Sequence, residues 1–171
     1  ELAESPLGAG AIGGNTLPID AGSSARALGF ADAPRNPIDA VGQRDHALTL
    51  TFMCTRIAMH LSRFCADMVE MCSDGLFELD GAIACGSSMM PHKRNPDLFE
   101  LVRAQAALRY GELVQLMTTF QGLGSGYHRD LQQDKEILFR AFDGTVNCLK
   151  MITLALGHMK PKPERCIQAL K

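Results

Sequence analysis

The amino-acid sequence predicts an all-α protein built from long helices. Between Ile38 and Ser73, apolar residues recur at steps of three to five, which is the period of a helix rather than of a strand. Two later stretches have the same period. Asn-Pro pairs stand at 36–37 and 95–96, and in such a pair Asn accepts a free N–H group while Pro fits the first helical turn. We therefore expect a bundle of three long helices.

Each element follows from its own composition. The first 35 residues are rich in glycine, alanine and proline. The glycine, proline and asparagine positions of PLGAGAIGGNTLP disfavour a long helix there, although a short one is expected near Ser23 to Leu28. Asp74-Gly75 ends the first long helix, and Pro161 follows the last. The predicted elements are a Gly/Pro-rich lead-in over 1–35, a helix over 36–73, a loop region over 74–95, a helix over 96–120, a loop over 121–129 and a helix over 130–158.

Composition narrows the class of protein and its partners. The chain has 171 residues, of which 46% are hydrophobic and 21% charged, the balance of a globular protein. A net charge of −2 provides no strong field for nucleic acid or an anionic membrane. The six cysteines are spread singly, with no CxxC pair. We expect a cytoplasmic protein with no metal, no organic cofactor, and no nucleic-acid or membrane partner.

Helix length and apolarity predict an assembly. Three helices of roughly 25–36 residues would be about 38–54 Å long, at about 1.5 Å per residue. Their apolar stripes are broad, and Leu50 and Met53 lie beyond a single face. A monomer would leave such surface in water, so we expect a larger, oligomeric helical core. A monomeric three-helix bundle is the alternative.

The segment GSSMMPHKRNP, at 86–96, combines groups that bind anions. Ser87 and Ser88 offer hydroxyls, Lys93 is a cation, and the following helix begins with the positive end of its dipole. These groups suit a carboxylate or phosphate, and they favour a serine alkoxide. The alternative is a solvated loop in which Asn95 only caps the next helix.

A second loop, GLGSGYHR at 122–129, precedes the third helix. It contributes Tyr127, and Gln132 and Lys135 follow three residues apart on the first helical turns. A phenol, an amide and an ammonium on one side suit a ligand with carboxylate and amino groups. The alternative is an exposed, mixed-charge helix start.

These motifs resemble those of a known superfamily. The segment GSSMMPHKRNP agrees with the pattern GSSxMPxKxNP of the fumarase–aspartase superfamily at every fixed position. Five further segments resemble argininosuccinate lyases, in the same order: SPLGAGAIGGNTLPID, RNPIDAVGQRDH, HLSR, NPDLFELVRAQ and YHRDLQQDKEILF. The resemblance implies a long-helix bundle of the fumarase/aspartase type. It also implies a homotetramer, active sites shared between three subunits, and cleavage of argininosuccinate to arginine and fumarate.

The resemblance also implies roles for single residues. Ser87 corresponds to the catalytic serine and Lys93 to the lysine that stabilises the charged intermediate. The residues implied to bind substrate are Asn95, Tyr127, Gln132 and Lys135. Ser88 and Arg44 are implied to lie near the site without a firm role, and an ion pair between Arg44 and Asp45 or a neighbour would explain Arg44 equally well.

Two departures leave other functions open. The loop reads MPHKRNP where argininosuccinate lyases usually have MPQKKNP, and its His92 and Arg94 are typical of adenylosuccinate lyase. That enzyme, another lyase of the superfamily, and a non-enzymatic bundle like some lens crystallins are the alternatives. The chain contains no counterpart of the family's upstream Thr-His region or of its C-terminal domain. We therefore expect a central fragment that is inactive alone.

Overall fold

The chain is mostly helical, which confirms the predicted fold class. The structure, a computed structural model, describes residues 2–86, 89–90 and 94–170, with Cys85 described by its backbone only. Its helices are α1 (Ala21–Ala27), α2 (Pro37–Gly42), α3 (Asp45–Ser73), α4 (Asp97–Phe120), α5 (Asp134–Gly157) and α6 (Pro163–Ala169). Its strands are β1 (Phe77–Leu79), β2 (Cys85–Gly86), β3 (Arg94–Asn95) and β4 (Met159–Pro161). A 3₁₀ turn, Arg129–Gln133, leads into α5.

The prediction of one helix over 36–73 was wrong, because the helix breaks after Gly42. Asn36 caps α2 as expected, accepting from Ile38 N at 3.1 Å and from Asp39 N at 3.4 Å. Gln43 is extended, with φ −73° and ψ 142°, and α3 begins at Asp45. The sequence around the break keeps a helical period, so periodicity alone did not reveal it.

The predicted loop region over 74–95 contains short strands. β1 pairs antiparallel with β4, with Phe77 opposite Pro161 and Leu79 opposite Met159. β2 pairs antiparallel with β3, with Gly86 opposite Arg94. Strands of two or three residues are too short to show an alternating pattern, so the sequence did not predict them.

The chain divides into two compact units. The first comprises Glu1–Thr51 and Leu113–Phe139, and the second comprises Phe52–Glu112 and Arg140–Lys171. The core of the first unit is formed by Ala47, Leu116 and Ile137. The core of the second is larger and is formed by Cys65, Met68, Leu79, Phe99, Val102, Cys148, Ile152 and Ala155.

A buried ionic network lies inside the second unit. Glu112 accepts from Arg109 Nη2 at 2.9 Å and from Arg140 Nε at 2.9 Å through the same oxygen, Oε1. The side chains of Arg109 and Glu112 are 3% and 5% exposed. Thr55 Oγ1 donates to the Arg109 carbonyl at 3.1 Å. The network therefore links α3, α4 and α5 through polar contacts, in addition to the apolar packing of the core.

Many large apolar side chains on the long helices remain exposed, as their broad stripes predicted. Leu101 on α4 is 67% exposed in the second unit, and Val114 on α4 is 61% exposed in the first. Phe139 on α5 is 61% exposed. Among the residues that the structure describes, no helix has the length and apolarity needed to cross a membrane.

Candidate active site

Three of the predicted substrate-binding residues lie together in the first unit, where the second loop enters α5. Gln132 Nε2 donates to the Tyr127 hydroxyl at 2.8 Å. Lys135 is the second residue of α5 and has a side chain that is 65% exposed. Gln132 itself lies in the 3₁₀ turn rather than on the helix predicted from residue 130. The turn brings the amide onto the phenol and leaves the Lys135 ammonium facing solvent.

Asp134 is the centre of this site, and the sequence did not identify it. Its side chain is only 9% exposed. Oδ2 accepts from Arg44 Nε at 2.8 Å, and Oδ1 lies 2.9 Å from Lys135 Nζ. One buried carboxylate therefore pairs with two cations, one from each of the two sequence segments of this unit. In a helix predicted from residue 130, an aspartate near the start is an ordinary partner of the helix dipole, so nothing in the sequence distinguished Asp134.

Arg44 is committed to contacts within the protein. Besides its bond to Asp134, its Nη1 donates to the carbonyls of Val41 at 3.2 Å and Gln43 at 2.7 Å. Its side chain is 17% exposed. The ion pair expected with Asp45 or a neighbouring residue is instead a pair with Asp134, 90 positions further along the chain. Arg44 therefore donates hydrogen bonds to carbonyls at the junction of α2 and α3 and also pairs with the first residue of α5.

The second loop lies close against α2 because two glycines meet there. A side chain at Gly42 would place its Cβ 2.6 Å from the Gly126 carbonyl oxygen, closer than Cβ atoms normally approach. Gly126 itself has φ +86°, in the left-handed region that favours glycine. The close approach fixes the residue directly before Tyr127, and so helps to set the position of the phenol.

The signature segment GSSMMPHKRNP lies in the second unit and is described only in part. Ser87, Ser88 and Lys93 lie outside the described residues, as does His92. Asn95 is half-buried at the end of β3, and Pro96 separates it from α4, which begins at Asp97. Arg94 Nη1 donates to the Leu79 carbonyl at 2.9 Å, which joins β3 to the end of β1. The two ends of the segment, at Gly86 and Arg94, are therefore held together by strand pairing.

Two cavities among the described residues of the first unit are lined by none of Tyr127, Gln132 and Lys135. One cavity of about 520 Å³ is lined by residues of the lead-in and α2, among them Glu4, Arg35 and His46. Another of about 360 Å³ lies between α2 and residues 124–126. Tyr127, Gln132 and Lys135 are themselves exposed.

Comparison with known proteins identifies the family. A sequence model of the family described as "Lyase" matches residues 1–109. The chain belongs to this lyase family. The argininosuccinate lyase of Symbiobacterium thermophilum is 45% identical over 169 residues, covering 98% of this chain and 37% of that protein. The argininosuccinate lyase of Pelotomaculum thermopropionicum is 44% identical over 168 residues, covering 97% of this chain and 36% of that protein.

Solved structures of related lyases share the fold. An EDDS lyase in complex with formate has a TM-score of 0.82 at 27% identity, covering 94% of this chain and 32% of that one. A class II fumarase from Schistosoma mansoni has a TM-score of 0.71 at 19% identity, covering 80% of this chain and 29% of that one, and this likeness concerns the fold alone. The predicted membership of the fumarase/aspartase superfamily is thus confirmed. The lyase chain spans a little over a third of the length of the curated relatives it matches.

Proposed function

We propose that this chain forms the central helical part of an argininosuccinate lyase, which cleaves argininosuccinate into arginine and fumarate. The observation that carries the proposal is the identity of 44–45% with two argininosuccinate lyases over almost the whole chain. The same alignment spans both polar loops, so the likeness is not confined to the helices.

The proposed reaction is an elimination with divided roles. Ser87 takes a proton from the carbon beside a succinyl carboxylate, and Lys93 stabilises the negative charge that develops there. The carbon–nitrogen bond then breaks as an acid protonates the leaving guanidinium nitrogen. Asn95, Tyr127, Gln132 and Lys135 hold the substrate. Ser88 and Arg44 are the further residues that we place near the site.

The geometry of the second loop supports a role in binding an anionic substrate. The Lys135 ammonium is largely exposed, at 65% of its side chain. The Tyr127 hydroxyl accepts from Gln132, which leaves its own proton available for donation to a ligand. An ammonium and a phenolic O–H, both exposed where the second loop enters α5, are suitable donors for a substrate carboxylate.

The exposed apolar side chains of the long helices support an assembly. We propose a cytoplasmic homotetramer in which the helices pack against those of other copies and each active site takes residues from three subunits. Leu101, Val114 and Phe139 are each more than 60% exposed, and an interface would remove them from water. The open position of Tyr127, Gln132 and Lys135 agrees with a site completed by another subunit, so we expect the chain to be inactive alone.

Adenylosuccinate lyase is the second candidate, favoured by His92 and Arg94 in the signature segment. The two candidates differ in the group that leaves with the nitrogen, a guanidinium in one and a purine intermediate in the other. We weigh the second loop more heavily, because its segment YHRDLQQDKEILF resembles argininosuccinate lyases in particular.

Fumarate release tests the proposal directly. The matching segment of the Symbiobacterium thermophilum relative is replaced by this chain, which gives a full-length polypeptide, called here the completed enzyme. Argininosuccinate and adenylosuccinate are offered separately, and fumarate is followed by its ultraviolet absorbance. We expect fumarate from argininosuccinate only.

The controls separate the alternatives. A Ser87→Ala version should lose turnover while keeping its oligomeric state, measured by size-exclusion chromatography with light scattering. Fumarate from adenylosuccinate would favour the second candidate. Absence of turnover with both substrates in a correctly assembled tetramer would contradict both and favour a structural bundle.

A further inference from the structure

The contacts of Asp134 raise a question of charge. Its carboxylate lies 2.9 Å from the Lys135 ammonium, so taken as a pair these two groups cancel. An ammonium that is already neutralised by a neighbour attracts an anionic ligand weakly. Lys135 can bind a substrate carboxylate strongly only if something else compensates Asp134.

Arg44 supplies that compensation. It pairs with the second oxygen of the same carboxylate at 2.8 Å, and its guanidinium carries a full positive charge. Two cations and one carboxylate leave one net positive charge. Arg44 is 17% exposed with its Nε and Nη1 committed, whereas Lys135 is 65% exposed. The surplus charge is therefore presented to solvent by Lys135.

We propose that Arg44 is a positioning residue whose pairing with Asp134 leaves Lys135 free to bind an anionic group of the substrate. The inference rests on the proposed substrate-binding role of Lys135. It assigns Arg44 no contact with the substrate. Asp134 has a double function, since it fixes the Lys135 ammonium in place and would quench its charge if Arg44 were absent.

The decisive comparison uses a single and a double substitution in the completed enzyme. Arg44→Gln removes the compensating charge, and the KM for argininosuccinate should rise about tenfold with kcat changed less than about twofold, because binding is lost equally in the ground and transition states. Arg44→Gln combined with Asp134→Asn restores one net positive charge. Its KM should return to within about threefold of the parent value.

A purely structural role predicts the opposite order. If the ion pair only held the loop in place, the double substitution would be as impaired as Arg44→Gln or more so. That result would overturn the inference. Arg44→Lys gives a second check, because it keeps the charge but loses the planar fork that reaches the Val41 and Gln43 carbonyls. We expect its KM to stay near the parent value, and a KM like that of Arg44→Gln would contradict us.

A matched control and an independent readout complete the design. Arg35→Gln removes another ion-paired arginine of the first unit, one that contacts Glu4 and Asp32 and is 76% exposed. It should leave the KM unchanged. Circular dichroism melting of each variant verifies folding.

Calorimetric titration with succinate, a simple dicarboxylate, measures anion binding without turnover. The same order of affinities is expected: parent and double variant similar, Arg44→Gln about tenfold weaker. If the parent enzyme does not turn over argininosuccinate but succinate binding follows this order, the proposed reaction fails and the inference stands. Turnover by the parent without this order, or no succinate binding by the parent, overturns the inference.

Discussion

Replacing Gly144 by alanine should destabilise the second unit, although alanine favours helices. Gly144 lies on α5, where the guanidinium of Arg109 packs directly over its backbone. A Cβ at this position would overlap Nη1 and Cζ of that side chain. The guanidinium is 3% exposed and is tied to Glu112 through Nε at 2.5 Å and Nη2 at 2.9 Å. Because the side chain is buried and paired, moving the guanidinium aside would strain or break that ion pair.

The magnitude follows from two opposing terms. Alanine is favoured over glycine inside a helix by about 1 kcal/mol. Breaking a buried ion pair so that its charges lose their partners costs about 3–5 kcal/mol. Glu112 keeps its contact with Arg140 at 2.9 Å, which places the loss toward the lower end. We therefore expect Gly144→Ala to lower the free energy of unfolding by about 2–4 kcal/mol.

Urea unfolding of the chain, followed by far-ultraviolet circular dichroism, measures this loss. Gly111→Ala is the matched control, because Gly111 lies inside α4 and a Cβ there meets nothing within 4 Å. That substitution should stabilise the chain by roughly 0.5–1 kcal/mol, the helix preference alone. The two glycine-to-alanine changes thus have opposite expected signs in the same unit.

A Gly144→Ala chain as stable as the Gly111→Ala chain would refute the reasoning, since it would mean that Arg109 moves freely. A double-mutant cycle locates the cause. With Arg109→Met in the background the overlap disappears, and the cost of Gly144→Ala should fall by more than about 1 kcal/mol. Additive effects would show that Arg109 is not what the new methyl group meets.

Three further predictions concern single contacts. Gly42→Ala brings a Cβ to 2.6 Å from the Gly126 carbonyl, so urea unfolding should show a loss of about 1–3 kcal/mol. Asn36→Ala removes the α2 cap and should cost about 1 kcal/mol by the same assay. Burial, and secondarily Cys148, raises the pKa of Cys65 to about 11. Its native thiol should resist iodoacetamide at about pH 8, where little thiolate forms. Because the unfolded thiol ionises first, stability should fall between about pH 9 and 11, and Cys65→Ala should lack that part of the fall.

The long helices were predictable because their signals are local. Apolar periodicity and the Asn-Pro pair at 36–37 depend on residues within a few turns, and the cap at Asn36 forms as expected. The break at Gln43 was not predictable, because its partners are distant: Gly42 meets Gly126, and Arg44 meets Asp134. Within the predicted helix, Gly42 and Arg44 are residue types that a continuous helix tolerates, glycine at a cost of about 1 kcal/mol.

The site residues also differ in whether their contacts are local or distant in the sequence. Tyr127 and Gln132 are five positions apart and make a hydrogen bond within one loop, so a local pattern could point to them. The role of Asp134 depends on its ion pair with Arg44, 90 positions earlier. A sequence shows that an aspartate precedes Lys135, but only the fold shows that it is buried and shared.

The helix break and the charge of the site depend on one side chain. A continuous helix through residue 44 would bond the Val41 and Gln43 carbonyls to later backbone N–H groups. Instead Arg44 Nη1 donates to both, at 3.2 and 2.7 Å, while its Nε pairs with Asp134. The guanidinium thus replaces helical hydrogen bonds, worth about 1 kcal/mol each, with bonds of its own to the same acceptors.

It follows that Arg44→Gln should weaken the junction of α2 and α3 as well as the binding of anions. Adding Asp134→Asn should restore only the binding, because the carbonyls still lack their donor. Stability and affinity should therefore respond differently to the second substitution, and a parallel recovery of both would show that charge alone accounts for the role of Arg44.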